Sequence, residues 1–464
     1  MIWFVGAGCY HPDYLTIAAK KIIETADCIL YDALINKEFL QLAKPSCECL
    51  CVGKRGHATS SKQEDINELL LKKSKQYAQV LRLKGGDPFL FGRGSEEMLH
   101  VLEHGIDCQY IPGISSAIGA LGFAGIPVTQ RHVSSGVHIH TLHKQDGSDQ
   151  LDYDLIARDP NTHLFFMGAH KIKKMVQHCL DAGMPNKYPI AIASHCTYPN
   201  QKVLCSTLEE ILNLDVSSYT SPLLIVLGPV IQNQSLLNNA SRLDCFSKRV
   251  LFTSIDDTKW PIDLLSLTHG IYPFIRQVGH IQYQYDPYVS FQSYQSLVFS
   301  SKHAVIGFFQ YLINQQIDIR SLSDIKFYCI GKKTEEQLLQ HGIFPTATTM
   351  CRNDMIHLLQ NESNVCYIGG KQTQSTWPTF QTYQIKAHDF DLPQESIDAI
   401  CVTCPFAIEQ LVKKQIDRTI PLFCFGHQSY QAAKSHQFTS IHVVSSNKKE
   451  MVQQVIQFFQ GEKS

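Results

Sequence analysis

Short apolar runs alternate with amphipathic stretches over residues 1 to about 230. This is the pattern of strands and helices interleaved in an α/β domain. Residues 2–5, Cys28–Tyr31, 80–83, 164–167, 190–193 and Leu223–Leu227 read as strands. Residues 15–25, 64–76 and 115–123 read as helices, and another opens at Ser95 with acids in its first turn. The grammar then breaks. Residues 233–248 are dense in Asn, Gln and Ser, which marks a linker, and a new strand begins at Arg249. The expected domains are therefore 1–232 and 249–464.

The second domain repeats itself. A strand over 296–301 and a helix over 304–309 resemble a strand over 399–404 and a helix over 407–412. Residues 327–334 (Phe-Tyr-Cys-Ile-Gly-Lys-Lys-Thr) resemble 422–429 (Leu-Phe-Cys-Phe-Gly-His-Gln-Ser). Repeated strand–turn–helix units imply two similar α/β lobes with a cleft between them. Generic α/β grammar explains the first pair about as well as a true repeat does.

The composition narrows the function. A chain of 464 residues with a net charge of −1 lacks the basic surface that binding a phosphate backbone requires, so nucleic acid is not an expected partner. Residues 2–6 run straight into a glycine turn without a basic leader, and no stretch is long and apolar enough to span a bilayer. The sixteen cysteines lie mostly in apolar runs. Cys401 and Cys404 form an isolated C-x-x-C, readable as a redox pair or as small residues at a strand end. No second ligand pair accompanies it, so no metal site is expected. Reduced buried thiols and no membrane segment make a soluble cytoplasmic protein the expectation.

The densest chemistry lies in residues 82–97, Arg-Leu-Lys-Gly-Gly-Asp-Pro-Phe-Leu-Phe-Gly-Arg-Gly-Ser-Glu-Glu. Four glycines at a strand-to-helix junction bare the main chain for a small molecule. Gly6 and Gly8 form a second glycine turn after the first strand, but His11 stands where the dinucleotide fingerprint needs its third glycine. Pro112 and Gly113 open a third turn, in which Ser115 and Ser116 either cap a helix or meet a ligand. The two glycine turns, at the ends of neighbouring strands, favour a nucleoside ligand held by main-chain groups.

These pieces resemble a known family in order and spacing. Residues 5–16, Tyr31-Asp32, residues 52–55 (Val-Gly-Lys-Arg), 83–97, 111–117, 125–131 (Gly-Ile-Pro-Val-Thr-Gln-Arg) and 166–168 (Phe-Met-Gly) are similar to the uroporphyrinogen-III C-methyltransferases of the tetrapyrrole methylase family. The resemblance covers nearly all of residues 1–232. Residues 249–462 more weakly resemble uroporphyrinogen-III synthase, through 298–301, 330–334, 342–345 and 382–384. The fold implied is a two-lobed tetrapyrrole methylase followed by a two-lobed α/β synthase-like domain.

The resemblance implies S-adenosylmethionine as methyl donor, S-adenosylhomocysteine as its product, uroporphyrinogen III as acceptor and precorrin-2 as the methylated product. It implies Asp32 as proton acceptor and Lys54 as proton donor, with Arg93, Glu96 and Arg131 in substrate binding and proton handling. Cofactor contacts fall on Cys9, Gly85, Gly86, Asp87, Leu90, Ser115, Ser116, Met167 and Cys196. For the second domain it implies ring closure of hydroxymethylbilane to uroporphyrinogen III with loss of water, and Tyr383 as the acid at the leaving hydroxyl. A homodimer through the methylase domain and a place in sirohaem or cobalamin synthesis follow from the same source. Read alone, Asp32 is equally a turn residue, and Met167 is core.

The chain departs from the family pattern in four places. Cys9-Tyr10-His11 replaces Pro-Gly-Asp, Leu142-His143 replaces Gly-His, and His195-Cys196 replaces Asn-Gly. Ser254 stands where an arginine is expected. The last departure keeps an alternative open, a second domain that binds tetrapyrrole without catalysis. A methylase for a later corrin intermediate is the other alternative.

Overall fold

The computed structural model describes residues 1–52, 63–142, 151–255, 259–262, 265–285, 289–371, 375–444 and 447–462. Two compact units divide the chain. The first comprises Met1–Arg249, Ile262–Tyr272 and Phe459–Ser464, and the second Val250–Pro261 and Pro273–Phe458.

The first unit has two sheets. β1 (Ile2–Gly6), β2 (Cys28–Tyr31), β3 (Glu48–Cys51), β4 (Val80–Lys84) and β5 (Cys108–Ile111) form a parallel sheet in the order β3-β2-β4-β1-β5. Both of its faces are covered, as parallel sheets require. Val5, Ile29, Leu81 and Leu83 fill one face, and Ile2, Phe4, Cys28, Leu30 and Val80 the other. The second sheet holds β6 (Val137–Thr141), β7 (Thr162–Phe166), β8 (Pro189–Ser194), β9 (Lys202–Thr207) and β10 (Leu223–Leu227), ordered β6-β7-β10-β8-β9. Only its β6/β7 pair is parallel; β10 runs antiparallel to β7 and β8, and β8 to β9.

Two boundaries differ from the sequence reading for visible reasons. The helix expected from residue 15 is Ile17–Thr25, because the Thr16 hydroxyl accepts from the Ala19 amide at 3.1 Å and caps it. The helix expected from Ser115 is only Gly119–Phe123. Ser115 Oγ accepts from the Ala117 amide instead, at 3.2 Å, and holds a turn over 116–118 before the helix begins. Residues 233–248 carry a short helix, Gln234–Leu237, and a single 3-10 turn, Ala240–Arg242. Gln234 Nε2 donates to the Ala124 carbonyl and the Asn239 amide to that of Phe123, so this stretch is fastened to the helix Gly119–Phe123.

The second unit also has two sheets. β11 (Arg249–Ser254) and β12 (Tyr272–Gln277) begin one, the chain leaves for the other, and it then returns to the first. The other sheet holds β13 (Gly279–Tyr283), β14 (Ser296–Phe299), β15 (Lys326–Ile330), β16 (Ala347–Thr349), β17 (Val365–Gly370) and β18 (Thr379–Ala387), ordered β13-β18-β17-β14-β15-β16. The returning strands are β19 (Ala399–Val402), β20 (Leu422–Phe425) and β21 (Ile441–Val444), which complete β12-β11-β19-β20-β21. The internal repeat takes physical form here. β14 with helix Lys302–Asn314 and β15 with helix Lys332–Gln340 match β19 with Pro405–Lys413 and β20 with Gly426–Ser435.

Candidate functional site

Three turns at the carboxyl ends of β1, β4 and β5 interlock through glycine. The amides of Gly8 and Gly86 donate to each other's carbonyls at 3.1 and 2.8 Å. A Cβ on Gly6 would lie 2.6 Å from the Gly86 carbonyl oxygen, and one on Gly113 would fall on that same oxygen. Only glycine fits at either position, and backbone packed this closely leaves little freedom to relax. Asp87 ties the turns together. Its carboxylate accepts from Tyr110 Oη at 2.6 Å, from the Gly113 amide at 3.1 Å and from the Phe89 amide at 2.8 Å. Burial and the Asp87 carboxylate push the Tyr110 phenol up to about 12, so it remains the donor.

The turns open onto a cavity of about 470 Å³, within the range of small-molecule sites. Its walls come from both sheets of the first unit. All nine residues expected to touch a cofactor line it: Cys9, Gly85, Gly86, Asp87, Leu90, Ser115, Ser116, Met167 and Cys196. Asp32 lines it too. The lining holds two carboxylates, Asp32 and Asp87, and no lysine or arginine among the described residues. Arg82 and Lys84 stand behind Asp32, at 2.6 and 4.0 Å, and do not themselves line the cavity.

The other expected side chains lie elsewhere. Arg93 and Glu96 pair with each other at 2.7 Å, both largely exposed, and neither lines the cavity. Arg131 is exposed in the turn after Gln130. Lys54, with Gly53 and Arg55, falls outside the described residues. Tyr383 belongs to the second unit, where its hydroxyl is 3.0 Å from Ser301 Oγ and its ring rests on the bare backbone of Gly370. Burial raises the Tyr383 phenol above its ordinary range, although the Ser301 contact opposes the rise. Beside it, Tyr283 Oη lies 3.1 Å from His303 Nδ1.

Several cavity residues were not legible in the sequence. Tyr198, Leu34 and Phe91 line it, and the Tyr198 ring stacks on Tyr10 at 3.5 Å and 16°. The tyrosine at position 10 therefore builds a wall of the cavity and does not plug it. Tyr10 has φ 77°, a left-handed conformation that costs a non-glycine residue about 1–2 kcal/mol. Its stack offsets about 0.5–1.5 kcal/mol of that. Phe91, Arg93, Met167, His195 and Thr197 also have positive φ, and all sit on the loops around this cavity. Backbone strain concentrated in this way is a mark of functional sites. Burial also raises the two thiols on the wall, Cys9 to about 11 and Cys196 to about 12, so both remain protonated and inert.

Residues 1–212 match the family model described as Tetrapyrrole (Corrin/Porphyrin) Methylases, and residues 273–376 match that of Uroporphyrinogen-III synthase HemD. Over 368 residues the chain is 31% identical to the uroporphyrinogen-III C-methyltransferase of Bacillus subtilis, covering 75% of this chain and 73% of that protein. The chain belongs to the tetrapyrrole methylase family. A uroporphyrinogen-III synthase-like region follows its methylase region. The Siroheme synthase of Chromobacterium violaceum is 40% identical over 232 residues, half of this chain. The chain spans about half the length of that relative, 49%. A crystal structure of the Thermus thermophilus uroporphyrin-III C-methyltransferase with S-adenosyl homocysteine covers 50% of this chain and 98% of its own, at 33% identity and a TM-score of 0.44. No helix among the described residues is long and apolar enough to cross a membrane, and no cluster of three or more His, Cys, Asp or Glu there can hold a metal ion.

Proposed function

We propose that the first unit transfers methyl groups from S-adenosylmethionine to two ring carbons of uroporphyrinogen III, giving precorrin-2. The observation that carries this reading is the cavity itself: interlocked glycine turns beside Asp32 and Asp87, with no cationic side chain on the wall among the described residues. A sulfonium is a cation and meets no like charge among them. Main-chain groups of Gly85 and Gly86 and the hydroxyls of Ser115 and Ser116 supply hydrogen bonds for the nucleoside. The donor brings an electrophilic methyl carbon. The chain then has to hold the acceptor carbon in line with that methyl group and remove its proton. That Asp32 lines the cavity supports its taking this proton. Arg93 and Arg131 lie outside the cavity wall and suit the acceptor's peripheral carboxylates. The names of the Bacillus and Chromobacterium relatives support the same acceptor.

For the second unit we propose closure of hydroxymethylbilane to uroporphyrinogen III, with Tyr383 protonating the departing hydroxyl. Its protonated phenol beside Ser301 supports this. The rival reading, a tetrapyrrole-binding module without catalysis, is favoured by Ser254, which offers a substrate carboxylate no arginine fork. A cytoplasmic homodimer serving sirohaem or cobalamin synthesis belongs to the same proposal.

The test is a product analysis on the full chain. With uroporphyrinogen III and methyl-labelled donor, a doubly labelled macrocycle is expected. Binding of donor without transfer to this acceptor, but with transfer to a later corrin, would replace it with the other methylase reading. Hydroxymethylbilane alone should yield the III isomer above the spontaneous I isomer; equal spontaneous closure would leave the binding module.

A further inference from the structure

The first unit buries three charges, Arg82, Lys84 and Glu97, behind the Asp32 side of the cavity wall. β4 is a central strand, and its alternation puts Val80, Arg82 and Lys84 on one face. Arg82 and Lys84 are each 2% exposed, and the Glu97 they meet is 1% exposed. The Glu97 carboxylate takes Arg82 Nε at 3.0 Å, Arg82 Nη2 at 3.2 Å and Lys84 Nζ at 2.8 Å. The far end of Arg82 reaches out of this pocket, with Nη2 donating to Asp32 Oδ1 at 2.6 Å. Lys84 Nζ stands 4.0 Å from the other Asp32 oxygen. Only Asp32 of the four lines the cavity.

Buried ion networks are weak sources of stability, because desolvation consumes most of the attraction. This one joins a fully buried carboxylate, through two cations, to the one cavity carboxylate expected to accept a proton. We infer that Glu97, acting through Arg82 and Lys84, is a positioning residue that fixes the Asp32 carboxylate at the cavity wall and shares the two cations that would otherwise bear on it alone. The inference rests on the methyl-transfer reading of the cavity.

The charge arithmetic gives the sign. Without Glu97, Asp32 faces two cations alone. Its carboxylate is then held too firmly as the anion and becomes a poor base. With Glu97 in place, both cations are shared and Asp32 is oriented without being neutralised. Burial works against ionising Glu97, yet Arg82 and Lys84 outweigh it and hold its carboxyl below the ordinary range. Burial, and then Arg82, lower the Lys84 ammonium. From the helix Gln63–Ser74, Gln63 Nε2 also donates to Glu97 Oε1 at 3.1 Å, and the exposed Arg93 guanidinium interacts electrostatically with Glu97.

The test is the pH profile of methyl transfer by the full chain, with S-adenosylhomocysteine affinity measured in parallel. Glu97→Gln should move the acid limb of kcat down by about one pH unit and lower plateau kcat about ten-fold or more. Affinity for S-adenosylhomocysteine should stay within about three-fold, since Glu97 does not reach the cavity. Glu97→Asp keeps the charge and should keep the limb. Arg82→Lys loses the fork that holds Asp32 and should move the limb the other way, to higher pH. A limb unchanged in both Glu97→Gln and Arg82→Lys, with kcat lowered equally at every pH, would overturn the inference in favour of a purely structural network. Should Glu97→Gln fail to fold, the Arg82→Lys limb decides. Absence of methyl transfer in the unaltered chain would instead reject the reading of the cavity.

Discussion

The two units meet their chemistry with different materials. In the first, bare backbone and buried charge converge on one cavity: Gly85 and Gly86 on its wall, Asp87 tying three turns, Arg82 and Glu97 behind Asp32. In the second, hydroxyls and rings gather around the start of the helix Lys302–Asn314. Ser301 caps that helix and meets Tyr383, while Tyr283 meets His303. The difference fits the proposed tasks. Methyl transfer to carbon requires a cofactor held rigidly and a proton removed, so it selects glycine and fixed charge. Closing a flexible chain asks chiefly for shape and one proton, which phenols and hydroxyls supply.

The contrast can be broken by substitution, and the largest effect is expected at Gly113. A Cβ there would collide with the Gly86 carbonyl, so Gly113→Ala should lower the stability of the first unit by about 3 kcal/mol. S-adenosylhomocysteine affinity should fall more than about ten-fold, because the displaced turns form the cavity. Calorimetry of unfolding and of binding checks both, and a variant with unaltered melting would show that the three turns are not interlocked. In the second unit the effect should be smaller. Tyr383→Phe removes one hydrogen bond and the proposed acid, and should lower formation of the III isomer about ten-fold or more while costing roughly 1 kcal/mol of stability. Unchanged isomer yield would leave the second unit to binding. The smallest effect is expected at the exposed pair. Joint replacement of Arg93 and Glu96 by Ala should change stability by less than about 0.5 kcal/mol. If the arginine meets the acceptor's carboxylates, KM for the macrocycle rises while donor affinity holds; an unchanged KM would remove Arg93 from the substrate site.

The same contrast governs what the sequence discloses. Glycine turns are local, so the residues around Gly6, Gly85, Gly86 and Gly113 carry their meaning in a few adjacent positions. The cavity-lining residues expected to touch a cofactor follow from them and from the family resemblance. The network behind Asp32 is not local. Nothing in the strand around Arg82 tells that the helix Gly94–Glu103 lies against it and brings Glu97 to its guanidinium. Glu96 and Glu97 look alike in sequence. Only helical phase separates them: Gly94, Glu97 and Val101 share the buried side, and Glu96 turns outward. The period was there to be read, but the choice of face depends on what the helix packs against. Ser115 misled in the opposite direction, since a hydroxyl after Pro-Gly caps a helix or holds a turn with equal local logic. In the second unit, Tyr383 lies far along the chain from Ser301 and His303, and nothing local joins it to them.

The central claim is that the glycine-walled cavity of the first unit receives the methyl donor. A crystal structure of the full chain with S-adenosylhomocysteine tests it most directly. The account predicts the nucleoside against Gly85, Gly86 and Ser115, with Met167 at its side and Tyr10 still stacked on Tyr198. A vacant cavity at saturating ligand, or the ligand bound at another surface, would contradict it.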